Sequence, residues 1–235
     1  MMATRGATVE LMRALFVAVR TQSGRGKYYS AHFYPRRSLS FRFPFALLFL
    51  TLNSVTSPHH LNIVLVGFMG SGKTTIGRLI AQRLGFQFVD SDAVIVERAG
   101  MQVSEIFARH GEEWFRESES STLESLQVLQ RSVISTGGGA VLREQNRALL
   151  RELGFVVWLT ASEDVIFERI SRNKKRPLLQ TENPRQTVHD LLEQRRDIYA
   201  GVAQFTLETT HLSHEKAADS VIAEARRAFS WQPAA

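Results

Sequence analysis

The chain of 235 residues contains no cysteine. That absence excludes disulfides and thiolate metal sites, and it accords with a reducing compartment. No long hydrophobic run is present either. The most apolar stretch near the start, residues 45–50, is far short of the roughly 20 residues that span a bilayer, so no membrane anchor is expected. Repeats and low-complexity tracts are also missing. Acidic residues are nearly absent from one region: residues 1–57 hold eight arginines and lysines against Glu10 alone, a net +7. The whole chain carries +6, so the remainder is close to neutral at −1. The high isoelectric point therefore belongs to the leader, which weakens any nucleic-acid reading of it.

The leader is expected to stand outside the folded domain. Its arginines, serines and helical-period stretch over 9–20 suit an organellar transit peptide. A plain upstream extension, with a misassigned start, is the preferred alternative. Residues 58–235 are then one domain with an ordinary apolar content of 44% for the chain as a whole.

What is present is a phosphate loop. Residues 67–74 read G-F-M-G-S-G-K-T, with Gly67, Gly72, Lys73 and Thr74 in every fixed position of a Walker A motif. Such a loop turns consecutive backbone N–H groups towards phosphate oxygens. Its lysine reaches the β- and γ-phosphates, and its hydroxyl residue binds Mg²⁺. Gly70, Ser71, Gly72, Lys73, Thr74 and Thr75 are the expected ATP contacts. Both flanks agree: residues 61–66 form an apolar run suited to a buried strand, and 75–84 carry apolar residues at helical spacing up to Gly85.

Strand-like and helix-like segments alternate thereafter. Strands are expected over 86–89, 132–135, 155–159 and 205–208. Helices are expected over 94–99, 104–110 with Ser104 as N-cap, 112–130, 144–153, 162–172, 185–199 and 215–229. Such alternation predicts an α/β fold, with a parallel central sheet flanked by helices on both faces. Ligands bind such sheets at the carboxyl ends of the strands. The phosphate loop, Asp90-Ser91-Asp92 and Gly137-Gly138-Gly139 all follow strands, so they should meet in one crevice.

One carboxylate of the Asp90/Asp92 pair can hold Mg²⁺ through water while the other accepts a proton from an attacking hydroxyl. The strand over 132–135 carries no aspartate, so Asp90 stands in for the usual Walker B carboxylate. An N-cap or Asx-turn is the competing role for either aspartate. Three glycines at a strand end let backbone approach a ligand closely. Arg116 has Glu119 at i+3 to hold its guanidinium, beside Trp114 and Phe115, which suits recognition of a carboxylate. Five cations fall within residues 169–176 and lead into a proline-punctuated loop, expected to be a mobile lid. Arg195 and Arg196 are further carboxylate candidates. Asp92 suits hydroxyls and the arginines suit an anion, which together ask for a hydroxylated carboxylic acid as phosphoryl acceptor.

These segments resemble shikimate kinase, a small member of the P-loop kinase superfamily, over about residues 61–228. The resemblance rests on G-F-M-G-S-G-K-T-T-I-G at 67–77, F-V-D-S-D at 88–92 and F-A-R-H-G-E-E-W-F-R-E-S-E at 107–119. It continues through S-T-G-G-G-A-V at 135–141, R-P-L-L at 176–179 and R-R-D-I-Y at 195–199. It implies ATP- and Mg²⁺-dependent phosphorylation of the shikimate 3-hydroxyl on the route to chorismate and the aromatic amino acids. By the same resemblance, Lys73 and Arg176 contact the transferring phosphoryl and Thr74 ligates Mg²⁺, with Asp90 supporting through water. Asp92 contacts the hydroxyls as base, Arg116, Gly138 and Arg195 bind shikimate, and Arg169 lines the adenine side. The family's R-x-P-L-Y is here R-R-D-I-Y. The proline is missing and Arg196 is an added candidate, although spacing to Tyr199 favours Arg195. A cytoplasmic monomer is expected, or a plastid enzyme if the leader is a transit peptide. A gluconate-type sugar-acid kinase is the nearest rival. A nucleoside monophosphate kinase and a non-catalytic P-loop module are more distant ones.

Overall fold

A computed structural model of the chain describes residues 61–171 and 181–230. The proposed leader, residues 1–57, lies outside the described residues. So does 172–180, which holds the expected lid and Arg176.

Five short strands form one parallel sheet: β1 (Ile63–Val66), β2 (Gln87–Asp90), β3 (Ser132–Ser135), β4 (Phe155–Thr160) and β5 (Phe205–Glu208). Their spatial order is β2-β3-β1-β4-β5, with Ile63 opposite Val133 on one side and Phe155 on the other. All four residues of β1 are fully buried, as its position at the centre of the sheet demands. Successive side chains of a strand point to opposite faces. Ile63 and Leu65 accordingly pack against α1 (Lys73–Leu84) and α7 (His214–Ala228). Val64 and Val66 pack on the other face, with Leu123 and Leu126, with Leu150 and Leu153 of α4 (Glu144–Leu153), and with Tyr199 and Val202 of α6 (Pro184–Val202). Helices thus cover both faces, as strand–helix alternation predicts.

Side-chain polarity ties the sheet together where periodicity says nothing. Asn62, fully buried, donates to the carbonyls of Leu129 and Leu153 at 2.8 and 2.9 Å and accepts from the Ser132 amide at 2.9 Å. Three bonds of about 1 kcal/mol net each fasten the start of β1 to the entrances of β3 and β4. Gly77 lies inside α1, where glycine costs stability. A Cβ there would stand 2.8 Å from the Phe88 ring and 3.0 Å from Leu65, so close approach of helix to sheet accounts for it.

Several boundaries differ from those expected. The second helix, α2 (Ser91–Ala99), starts three residues earlier than residue 94, because Asp90 is its N-cap. The third, α3 (Val103–Ser125), is capped at Gln102 rather than Ser104, with the Gln102 amide donating to the Glu105 carboxylate at 2.9 Å. The break expected between 110 and 112 is present: Gly111 adopts φ 81°, ψ 177° within α3. The long helix ends at Ser125 instead of 130, followed by a 3₁₀ turn over Leu126–Val128. Described helix α5 spans Glu163–Ser171. Pro184 opens α6, where its missing N–H costs nothing, after the Asn183 cap.

Candidate active site

The phosphate loop runs from β1 into α1. Gly72 is the N-cap of α1 at φ 97°, a left-handed conformation that suits glycine. Lys73 is buried, and its ammonium donates to the carbonyls of Gly67 and Phe68 at 2.8 and 2.9 Å. Its charge is therefore held directly over the loop. Ser71 is fully buried and Thr75 exposed, while Gly70 lies under α5, whose Arg169 donates to the Gly70 carbonyl at 3.1 Å.

Asp90 serves two elements at once. Its Oδ1 caps α2, accepting from the amides of Asp92 and Ala93 at 3.1 and 3.4 Å. Its Oδ2 accepts from the Thr74 hydroxyl at 3.1 Å. The N-cap role that competes with function in the sequence is thus real for Asp90, and it leaves the second oxygen on Thr74. Asp92, by contrast, enters the first turn of α2 with its Oδ1 buried and without a hydrogen bond among the described residues. Burial, reinforced by Asp90, pushes its carboxyl above the ordinary range, against the pull of Lys73 and Arg116.

The triple glycine follows β3. Thr136 anchors it to β1, its amide and hydroxyl both reaching the Leu65 carbonyl at 3.1 Å. A Cβ on Gly137 would stand 2.5 Å from Asp92 Oδ1 and 2.7 Å from Glu119 Oε1. One on Gly139 would stand 2.0 Å from Arg116 Nη1. The loop is therefore close to two carboxylates and a guanidinium, and a side chain at either position would have to displace Asp92, Glu119 or Arg116 from their present places. A Cβ on Gly138 would have only ordinary contacts, 3.4 Å from the Met69 amide nitrogen and 3.7 Å from the Gly67 carbonyl oxygen, so the loop lies against the phosphate loop.

Arg116 projects from α3. Its Nη1 donates to Glu119 at 2.5 Å, while Nη2 and Nε donate to Glu112 at 3.0 and 3.2 Å. The i+3 brace expected from the sequence is present. Glu112, one turn earlier, was legible by the same spacing rule but was missed. Burial disfavours the Arg116 charge, yet the two glutamates outweigh it and raise its pKa further. Burial likewise pushes Glu119 up, with Asp92 adding to the shift and Arg116 opposing it.

Arg195 of α6 lies with its guanidinium 5.7 Å from the Phe68 ring centroid, and its Nη1 contacts the Gly138 carbonyl at 3.5 Å. Its Nε is buried with no hydrogen bond among the described residues. Arg196 points away, exposed and paired with Glu193. The structure thus gathers Lys73, Thr74, Asp90, Asp92, Arg116, the glycine loop and Arg195 at the carboxyl ends of β1, β2 and β3. Arg169 touches the phosphate loop at the Gly70 carbonyl. Two residues that sequence reasoning passed over also touch the glycine loop. Ser91 accepts from the Gly137 amide at 3.1 Å, and the Tyr199 hydroxyl donates to the Gly138 carbonyl at 2.5 Å. No helix among the described residues is long and apolar enough to cross a membrane.

Comparison with known proteins points to one family. The family model for shikimate kinase matches residues 69–226. Shikimate kinase of Thermodesulfovibrio yellowstonii is 46% identical over 166 residues, 71% of this chain and 95% of that protein. The Actinobacillus pleuropneumoniae serotype 5b enzyme is 48% identical over 161 residues, 68% of this chain and 93% of its own. Among solved structures, shikimate kinase from Acinetobacter baumannii in complex with shikimate superposes with a TM-score of 0.67 at 40% identity, covering 72% of this chain and 93% of that one. Shikimate kinase from Aquifex aeolicus gives 0.63 at 31% identity, over 72% and 98%. With the family model covering more than half its length, the chain belongs to the shikimate kinase family.

Proposed function

We propose that this protein transfers the γ-phosphoryl group of ATP to the 3-hydroxyl of shikimate, giving shikimate 3-phosphate and ADP. The observation that carries the assignment is the convergence of Asp92, Arg116 and Arg195 on the glycine loop, which itself lies against the phosphate loop. A base, two guanidiniums and a triphosphate cradle within one crevice match an acceptor that combines hydroxyls with a carboxylate.

The roles follow from position. Backbone amides over Gly70–Thr75 receive the ATP phosphates, and the Lys73 ammonium exchanges its carbonyl acceptors for phosphate oxygens. Arg169 lines the nucleotide side. Arg116, braced by Glu119 and Glu112, and Arg195 hold the shikimate carboxylate, with Gly138 backbone lining the same site. Asp92 accepts the proton of the 3-hydroxyl as its oxygen bonds to the γ-phosphorus and the bond to the ADP oxygen breaks. Arg176, outside the described residues, is proposed to meet the transferring phosphoryl.

The hydroxyl of Thr74 and the second oxygen of Asp90 fit Mg²⁺, a hard cation that takes oxygen ligands and keeps several waters. No cluster of three or more His, Cys, Asp or Glu capable of holding a metal exists among the described residues. When bound, Mg²⁺ neutralises charge on the β- and γ-oxygens. The expected setting is a monomer in the cytoplasm, or in a plastid if residues 1–57 act as a transit peptide.

A coupled assay of ADP release tests the assignment. Shikimate supports turnover and gluconate does not. A chain starting at residue 58 is expected to match the full chain, since every proposed site residue lies after residue 66. Turnover of gluconate without shikimate would end the assignment.

A further inference from the structure

We infer, building on the phosphoryl transfer proposed above, that Ser91 and Tyr199 are positioning residues. Their two buried hydroxyls grip the triple-glycine loop and hold it between Asp92 and Arg195. Each is only 2% exposed. Ser91 takes the loop by the Gly137 amide at 3.1 Å, and Tyr199 by the Gly138 carbonyl at 2.5 Å. The two holds act on adjacent residues, 46 and 61 positions away in sequence. They come from α2 and α6, the elements that carry Asp92 and Arg195.

Each hold has a consequence for its neighbour. Ser91 directly precedes Asp92, and Gly137 lies so near Asp92 that an added Cβ would stand 2.5 Å from Asp92 Oδ1. Fixing Gly137 to Ser91 therefore fixes the spacing between the loop and the carboxylate. Tyr199 lies about one helical turn after Arg195. Both side chains address the same Gly138 oxygen, Tyr199 at 2.5 Å and Arg195 at a long 3.5 Å. With the short bond made by the phenol, Arg195 has only a weak hold there, and its guanidinium stays over Phe68, ready for a carboxylate. Without the phenol, the half-buried Gly138 carbonyl loses its short donor, and an oxygen shielded from water in this way is costly to leave unsatisfied. Arg195, the other donor on that oxygen among the described residues, is then drawn onto the loop and away from the substrate.

Tyr199 is built to donate. Burial pushes its hydroxyl up to about 12, so it keeps its proton at any working pH. Its ring stacks on Trp158 of β4, with centroids 5.7 Å apart and planes at 19°. That packing needs no hydroxyl and survives replacement by phenylalanine, which makes Tyr199→Phe a clean removal of the bond.

Steady-state kinetics of the full chain, varying each substrate in turn, decide the matter. Tyr199→Phe and Ser91→Ala should each raise the shikimate KM about 3- to 10-fold, the loss of one hydrogen bond, and alter the ATP KM by less than about twofold. A lowered Tm with both KM values unchanged, or an equal rise in both, would overturn the positioning role. The wild-type chain assayed alongside separates the two levels. If it fails to phosphorylate shikimate, the function itself is wrong; if it succeeds while the variants match it, only the positioning is wrong. A second measurement does not depend on turnover. In ¹⁵N-glycine-labelled protein, Tyr199→Phe should move the Gly139 amide resonance, whose N–H shares a peptide with the Gly138 carbonyl, and leave those of Gly85 and Gly100 in place. An unmoved Gly139 signal also overturns the inference.

Discussion

Asp92→Asn is expected to lower kcat by about 10²- to 10⁴-fold and to leave the ATP dissociation constant within about twofold of wild type. The amide keeps the size and part of the polarity of the carboxylate but cannot take a proton from the acceptor. Asp92 makes no bond to the phosphate loop; the Thr74 hydroxyl is bonded to Asp90. Nucleotide affinity measured by titration should therefore survive, and its loss together with kcat would reject the assignment of Asp92 as base. The pH dependence has a definite sign. Burial and Asp90 raise the Asp92 pKa, so the ionised, proton-accepting form appears only above the ordinary carboxylate range. The acid limb of kcat/KM should rise through that raised value and vanish in the variant. Stability runs the other way. A carboxyl whose pKa is raised in the folded state binds more protons there than in the unfolded chain. The contribution of Asp92, and of Glu119, is therefore most favourable below the unfolded value and is lost as pH rises through the folded one.

Arg116→Ala is expected to lower kcat/KM for shikimate by about 30- to 1,000-fold, the effect of removing one partner of a buried charge-assisted contact. The ATP KM should change little. Two losses are mixed in that variant. The shikimate carboxylate loses a guanidinium, and Glu119, 2% exposed and bonded to Arg116 at 2.5 Å, is left buried without its cation. The second loss is a matter of stability, of several kcal/mol where a buried pair is broken. The double variant Arg116→Ala/Glu119→Gln separates them: it should regain stability in urea denaturation but not the affinity for shikimate. Equal rises in the KM of shikimate and ATP would contradict the carboxylate role.

Many local features of this fold were legible from sequence, and most specific long-range contacts were not. The strand before the phosphate loop, the helix after it, the break at Gly111 and the Arg116–Glu119 brace each depend on neighbours within one or two turns. Periodicity and spacing report such features directly. The strand–helix alternation predicted the parallel sheet and hence the crevice. Some of what escaped was local, such as the caps at Asp90 and Gln102 and the Glu112 brace on Arg116; the rest was set by contacts between distant segments. The early start of α2 comes from Asp90 capping it with one oxygen while meeting Thr74 with the other. The Gln102 cap escaped because Ser104 is the better cap former in isolation, yet Gln102 pairs with Glu105. Asn62 looked like one polar residue in an apolar run, although its partners lie 67, 70 and 91 positions away. Tyr199 served only as a spacing marker, since nothing in its own segment points to Gly138. In the glycine loop, all three glycines read from sequence as allowing close approach, and the family resemblance names Gly138 for substrate; the crowding falls on Gly137 and Gly139.

The most direct test of the central claim is the identity of the product. Protein, ATP, Mg²⁺ and shikimate are incubated to completion, and the product is examined by mass spectrometry and ³¹P–¹H correlation. One phosphoryl group on the 3-hydroxyl, matched by an equal amount of ADP, is the predicted result. Phosphorylation at another hydroxyl, or ADP formed while shikimate stays unmodified, would contradict it.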